Sequence, residues 1–171
     1  MNQDICYETD LSELSPEDIE ISYGPLNDID KTDSFGDTLL LAACKVRNLE
    51  YVTHYLKKGA NPNYRNDCGE TPLLELIDTA EDHEEISIPI IKVLIKSGAD
   101  LEQRGYMDKT PFLKACSRKS LSVLKLLVNS GCNTQAVISE YNEELDGNWF
   151  ADCFHLNHEL KRYIKNAIKN S

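Results

Sequence analysis

The chain has 171 residues, of which 29 are acidic and 18 are lysine or arginine, so its net charge is −11. An apolar content of 41% argues against a disordered chain, and the length suits one compact domain or one elongated array. Nucleic-acid binding is not expected, because contacts with phosphates depend on lysine and arginine. The acidic excess favours a basic protein partner instead.

The N-terminal segment, residues 1–32, holds most of the acidic excess. Residues 1–33 contain ten acidic residues and one lysine. Within SPEDIEISYG, Ser15 suits a helix N-cap, Pro16 suits the first helical position, and acidic residues follow in the first turn. This pattern predicts either a short helix that caps the next structure or a partly disordered acidic arm.

Targeting signals and cysteine usage indicate a cytoplasmic protein. The sequence MNQDICYETD has no apolar stretch of the kind that secretion signals carry, and no run approaches 18 apolar residues. The six cysteines are widely spaced and form no C-x-x-C pair. We therefore expect reduced thiols and no membrane segment.

Three segments of the middle region resemble one another when they are aligned on a threonine that each contains. The aligned threonines are Thr38, Thr71 and Thr110. The first two threonines are 33 residues apart and the next two are 39 apart. A glycine closes each copy, and the spacing from threonine to glycine is 21, 27 and 21 residues. The period is therefore 33 residues, and the second copy has six additional residues between its threonine and its glycine.

Each copy predicts a pair of helices. The threonine begins a short apolar helix, and proline follows it in two copies (Pro72 and Pro111). A polar break then leads to a second helix with apolar residues at helical spacing. The expected N-caps of the second helices are Asn48, Ser87 and Ser120, and the expected C-caps are Gly59, Gly98 and Gly131.

The six-residue insert lies within residues 78–87 and carries DTAEDHEE. It contains no lysine or arginine. We expect it to extend the first helix of the second copy or to project from it as an acidic loop, in contact with solvent or with a partner.

The three copies resemble the ankyrin repeat, whose pattern has T-P-L-H-x-A in the first helix and L-L-x-x-G-A-D/N at the end of the second. TPLLEL, TPFLKA, YLKKGANPN and LIKSGADLE are similar to these motifs. The resemblance covers residues 33–135, and it implies an all-α solenoid of stacked helix–turn–helix units over residues 33–136. Leucine replaces the motif histidine in every copy (Leu41, Leu74 and Leu113), and Cys44 and Cys116 fill equivalent core positions.

Residues 137–171 are predicted to form a degenerate fourth repeat, because an open end of a solenoid would expose apolar helix faces. Trp149, Phe150 and Phe154 suit a short first helix. Asn157 suits the cap of a second helix with one apolar face (Leu160, Tyr163, Ile164 and Ala167) and an exposed basic side (Lys161, Arg162, Lys165 and Lys169).

Catalytic and metal sites are not expected. The carboxylates of the insert and His83 lack a pocket that would separate their pKa values. His155 and His158 lie three residues apart beside Cys153, but a closed zinc site needs four ligands. The acidic run from Asp28 has no glutamate where a calcium loop requires one. We therefore predict no catalytic residue, no metal, no cofactor and no small-molecule substrate.

The resemblance implies a protein-binding surface, here called the concave face: the turn before each first helix together with the exposed side of that helix. Aromatic and apolar residues at three turn positions stand out, because the repeat pattern does not require them and such side chains favour binding hot spots. The residues predicted to bind a partner are Phe35, Asp37, Lys45, Asp67, Glu70, Asp78, Tyr106, Met107, Lys109 and Arg118.

The sequence thus predicts a non-enzymatic module that binds another protein, which is basic on charge grounds, and that inhibits or scaffolds it. Two more specific hypotheses remain open: a bacterial immunity-type protein that masks a basic toxin domain, and a regulatory or host-directed ankyrin factor. An enzyme or metal protein built around the insert and the histidine pair is the remote alternative.

Overall fold

A computed structural model describes residues 6–23, 28–140 and 143–170 of the chain. These residues form nine α-helices, a short 3-10 turn (Tyr106–Asp108) and one antiparallel hairpin of strands β1 (Ile138–Glu140) and β2 (Glu143–Leu145). The helices are α1 (Tyr7–Glu13), α2 (Pro16–Tyr23), α3 (Leu39–Lys45), α4 (Leu49–Lys57), α5 (Pro72–Lys96), α6 (Pro111–Ala115), α7 (Leu121–Asn129), α8 (Gly147–Cys153) and α9 (His158–Lys169).

The helices pack in two layers. One layer runs from α1 through α3, α5 and α6 to α8, and the other runs from α4 through α5 and α7 to α9. The long helix α5 takes part in both. Apolar side chains between the layers form one continuous core from Tyr7 to Ile164. The predicted all-α solenoid is therefore confirmed.

The threonine of each copy caps its first helix, as the alignment predicts. The side chains of Thr38, Thr71 and Thr110 accept hydrogen bonds from the backbone N–H groups three residues later, at 3.2, 3.2 and 3.3 Å. Those N–H groups belong to the leucines that replace the motif histidine (Leu41, Leu74 and Leu113), and all three leucine side chains are buried. The change from histidine to leucine therefore adds apolar packing at each cap.

The second helices begin and end as expected in copies one and three. The Asn48 side chain accepts from the N–H groups of Glu50 and Tyr51, and Ser120 accepts from Val123. The three closing glycines, Gly59, Gly98 and Gly131, have φ values of 90°, 90° and 86°. These values lie in the left-handed region, which residues with a side chain rarely adopt.

The second copy departs from this plan, and the prediction that Ser87 caps a separate helix is wrong. Helix α5 consists of two helical segments that meet at a kink at His83, whose φ of −137° and ψ of 36° are not helical. Ser87 lies inside the helix, is buried, and its hydroxyl has no hydrogen-bond partner among the described residues. Alanine and glutamate in the insert favour helix, so the six extra residues prolong the first helix.

The insert does not project into solvent as a free loop. Glu81 forms an ion pair with Lys119 at 3.0 Å, and Glu84 accepts a hydrogen bond from the Ser120 hydroxyl at 2.5 Å. Both partners belong to the break between α6 and α7. The acidic side of the insert therefore lies against the third copy, where it meets basic and polar residues.

The N-terminal residues 6–23 form a helical hairpin against the first copy. Ser15 caps α2 as predicted: its hydroxyl accepts from the Asp18 N–H at 3.2 Å. Helix α1, which the sequence did not suggest, buries Tyr7 and Leu11, and α2 buries Ile19. Residues 7–13 and 16–23 of this segment are helical, while residues 1–5 and 24–27 lie outside the described part.

The C-terminal residues form the expected helix pair. Asn157 caps α9 by accepting from the Leu160 N–H at 2.9 Å, and Leu160 and Ile164 are buried on the predicted face. Phe154 lies one residue beyond the end of α8. The β1–β2 hairpin that leads into this pair was not anticipated, because its three-residue strands are too short to give a periodic signal.

Among residues 6–23, 28–140 and 143–170, no helix combines the length and the apolarity needed to cross a bilayer. In the same residues, no group of three or more histidine, cysteine, aspartate or glutamate side chains is arranged to hold a metal ion. The six cysteines are unpaired, and burial raises the pKa of the Cys44 and Cys116 thiols.

Candidate functional site

The turns before the first helices are fixed by side-chain amide and carboxylate groups. Asp33 accepts from the N–H groups of Phe35 and Asp37 at 2.9 and 3.0 Å. Asn66, in the equivalent place of the second turn, accepts from the Glu70 N–H at 2.9 Å and donates to Asp37 at 2.8 Å. The first two turns therefore each have a defined backbone shape and are joined to one another.

Two predicted binding residues, Asp37 and Lys45, are brought together by this framework. Asp37 is buried, and one of its oxygens forms an ion pair with the Lys45 ammonium at 2.5 Å. Its other oxygen is held by Asn66. Asp37 therefore serves to join two turns and the first helix, which leaves Lys45 as the more accessible member of the pair.

The apolar residues predicted at the turns are strongly exposed. Phe35 is 67% exposed, Tyr106 is 64% exposed and Met107 is 55% exposed. Met107 and Asp108 have φ values of 56° and 55°, an unusual conformation for residues other than glycine. Met107 is thus exposed on the third turn in a left-handed backbone conformation.

The acidic part of the concave face lies at the second copy. Asp67 is exposed and Glu70 is half-buried, and the Glu70 side chain approaches that of Glu75 on α5. Burial, together with the Glu70 carboxylate, raises the pKa of Glu75 to about 8. Glu75 was not among the predicted residues, because the sequence does not show which of several acids lies beside another.

Asp78 and Arg118 are also brought together. Asp78 forms ion pairs with Lys114, at 3.3 Å, and with Arg118. The Arg118 Nε group also donates to the Asp78 backbone carbonyl at 3.2 Å. These contacts join the second and third copies across the exposed side of α5 and α6. Lys114 was missed, because it lies within an apolar run that suggests core packing.

The remaining predicted residue, Lys109, lies at the boundary between the third copy and the C-terminal pair. Lys109 is buried, and its ammonium group lies 4.5 Å from the ring centroid of Phe150 and 5.2 Å from that of Phe154. Burial, and then the nearby charges of Arg118 and Lys114, lower its pKa. The concave face is therefore acidic at the second copy and basic and aromatic at the third.

Comparison with known proteins identifies the family. A family model described as ankyrin repeats in three copies matches residues 40–138 of the chain. The chain belongs to the ankyrin-repeat family, whose repeats generally serve as protein–protein interaction modules. The family is typically non-enzymatic.

Individual relatives share the repeats at modest identity. An ankyrin repeat protein of Rickettsia bellii is 27% identical over 65% of this chain and 32% of its own length, and a second one from that organism is 36% identical over 63% and 32%. The ankyrin repeat and KH domain-containing protein mask of Drosophila melanogaster is 32% identical over 63% of this chain and 3% of its own length. The chain therefore spans about a third, or less, of the length of these relatives.

Proposed function

We propose that this chain is a non-enzymatic module that binds another protein through the concave face. The observation that carries the proposal is the exposure of Phe35, Tyr106 and Met107. Hydrogen bonds hold the turns that carry them: the Phe35 N–H donates to Asp33 in the first turn, and Arg104 donates to the Asp108 carbonyl in the third. Rigid, exposed aromatic and apolar side chains bind a partner at a small cost in conformational entropy. Their neighbours supply charges of both signs for selecting the partner.

The mechanism is occupancy of a surface, so the module inhibits or scaffolds its partner without a chemical step and without a cofactor. Asp67 and Glu70 favour a partner with basic groups at the second copy. The immunity-type and regulatory hypotheses are two versions of this mechanism and differ in the identity of the partner. We place the protein in the cytoplasm, because its six unpaired cysteines suit a reducing compartment.

The proposal is tested by three single variants, Phe35→Ala, Tyr106→Ala and Glu70→Lys. The protein that co-purifies with the full chain from its native cells is identified, purified and titrated against each variant. We expect each change to weaken binding by roughly tenfold or more, as truncation of a hot spot does.

The matched control is Ile86→Ala, because Ile86 is an exposed apolar residue on the second half of α5, away from the turns. This variant should bind as the unchanged chain does. If all three concave-face variants retain full affinity, or if Ile86→Ala weakens binding as much as they do, the concave face is not the binding surface.

A further inference from the structure

Lys109 is a buried cation without an anionic partner in the part of the chain that the structure describes. The residue is 9% exposed, yet none of the ion pairs among the described residues includes it. Its ammonium group faces the rings of Phe150 and Phe154. Aromatic faces attract a cation, but they do not accept the three N–H donors as oxygen atoms would.

The surrounding charge makes this arrangement more unusual. Lys114 and Arg118 lie close enough to influence Lys109, and both are paired with the one carboxylate of Asp78. Lys109, Lys114 and Arg118 therefore outnumber the nearby carboxylates, Asp78 and, beside Arg118, Glu81, in a partly desolvated region. Because charges interact more strongly away from bulk water, this excess of positive charge favours an added anion.

Exposed apolar groups surround the same place. Tyr106 and Met107 belong to the turn that leads directly into Lys109, and Phe154, one of the two rings beneath its ammonium, is itself exposed. A ligand that reaches the ammonium group would therefore also cover apolar surface. The protein as a whole carries a net charge of −11, so this basic and aromatic patch differs in sign from most of the molecule.

We propose that the Lys109 patch, defined as Lys109, Tyr106, Met107 and Phe154, binds an acidic residue of a partner protein that is flanked by an aromatic or apolar side chain. The carboxylate lies on the Lys109 ammonium group and accepts charge-assisted hydrogen bonds from it. The neighbouring side chain packs on the exposed apolar groups. This inference rests on the proposed function and adds to it: the partner presents basic groups at the second copy and an acidic group at the third.

The experiment uses two blocked tripeptides, one with aspartate between two phenylalanines and the other with asparagine in its place. Each is titrated into the full chain up to tens of millimolar, and the lysine side-chain and backbone NMR signals are followed. We expect the aspartate peptide to shift the Lys109 signals saturably. We also expect it to bind roughly tenfold more tightly than the asparagine peptide, because the charge-assisted bond is lost in the amide.

Two variants test the role of the ammonium group. Lys109→Met keeps the side-chain length and the ring contacts, so it should fold, which circular dichroism checks, and it should bind both peptides equally weakly. Lys109→Arg keeps the charge and should retain the preference for aspartate. Lys125→Met changes an exposed lysine of α7 and should leave both affinities unchanged.

Three results would overturn the inference: equal affinity for the two peptides, an undiminished preference in Lys109→Met, or no saturable shift at Lys109 with the aspartate peptide. These results are separable from failure of the proposed function. If Phe35→Ala weakens binding of the purified partner while the tripeptides show no preference, the concave face binds its partner but the Lys109 patch takes no carboxylate.

Discussion

Single residues of the concave face have surroundings that their positions in the repeat do not reveal. Glu75 lies on the first turn of α5, where a carboxylate would usually be favoured by the helix dipole. In the folded chain it is instead half-buried beside Glu70, and burial raises its pKa to about 8. As the pH rises, Glu75 therefore keeps its proton to a higher pH in the folded state than in the unfolded state.

The sign of this effect on stability follows from proton linkage. A carboxyl group whose pKa is higher in the folded state makes the protein less stable as the pH rises from the unfolded value, about 4.5, to the folded value of about 8. We expect Glu75→Gln to remove this loss. The variant should exceed the unchanged chain in free energy of unfolding by at least about 1 kcal/mol at pH 8.5, and the difference should shrink towards pH 4.5.

Urea denaturation at a series of pH values measures the effect. Glu85→Gln, at an exposed position of the same helix, is the control for the loss of one negative charge. Suppose that the free energy of unfolding of Glu75→Gln falls with rising pH in parallel with that of the unchanged chain. The pH dependence then does not come from a raised pKa of Glu75.

At the scale of elements, helix α5 is the main departure from a regular repeat. Its six additional residues lengthen the first helix and bring acidic side chains to the third copy. The ion pairs of Asp78 and the ion pair of Glu81 differ in how far their side chains are buried. The Asp78, Lys114 and Arg118 side chains are 31%, 11% and 28% exposed, whereas the Lys119 side chain that pairs with Glu81 is 61% exposed.

This difference predicts unequal costs for removing the two carboxylates. Asp78→Ala removes the carboxylate that pairs with two largely buried cations and should lower the free energy of unfolding by about 1–3 kcal/mol. Glu81→Ala removes an exposed ion pair and should cost less than about 1 kcal/mol. Urea denaturation measures the free energy of unfolding of both variants, whose substituted positions lie about one turn apart on the same helix. Equal losses would show that the Asp78 contacts do not join the two copies.

At the scale of the whole molecule, the N-terminal hairpin closes the first copy. Helix α1 packs on α3. The link between α1 and α2 contacts α4, because the Leu14 carbonyl accepts a hydrogen bond from the Tyr51 hydroxyl at 3.3 Å. Glu20 of α2 forms an ion pair with Lys58, the C-cap residue of α4, and lies 3.2 Å from the His54 Nε2 atom. In a solenoid each unit is stabilised by its neighbours, so the loss of an end unit exposes the next core.

A chain shortened to residues 28–171 should therefore be less stable by more than about 3 kcal/mol, because Tyr7, Leu11 and Ile19 each bury a large side chain in the full chain. The control in the full chain is Ile21→Ala, since Ile21 is 80% exposed and should change stability by less than about 0.5 kcal/mol. The urea midpoints of the shortened chain and of the full chain are compared, and the shortened chain is expected to unfold at a lower urea concentration. An unchanged midpoint would mean that the hairpin is not part of the cooperative structure.

The sequence by itself determined the repeat, its caps and its closing glycines. Thr38, Asn48 and Gly59 act through hydrogen bonds and backbone angles within a few residues of themselves, so their roles are visible in a local pattern. The exposure of Phe35 and Tyr106 could be anticipated for the same reason, because a fixed period places them outside the apolar core. The length of the insert was evident, but its conformation was not.

Tertiary structure decided which charges meet. Asp37 with Asn66, and Asp78 with Lys114 and Arg118, are pairs between turns or between copies, and a single sequence does not specify how neighbouring copies are placed. Ser87 shows the same limit: its local pattern suits a cap, but packing of the prolonged helix buries it instead. Lys109 lies over aromatic rings supplied by a different copy, because stacking of the units brings together residues about forty positions apart.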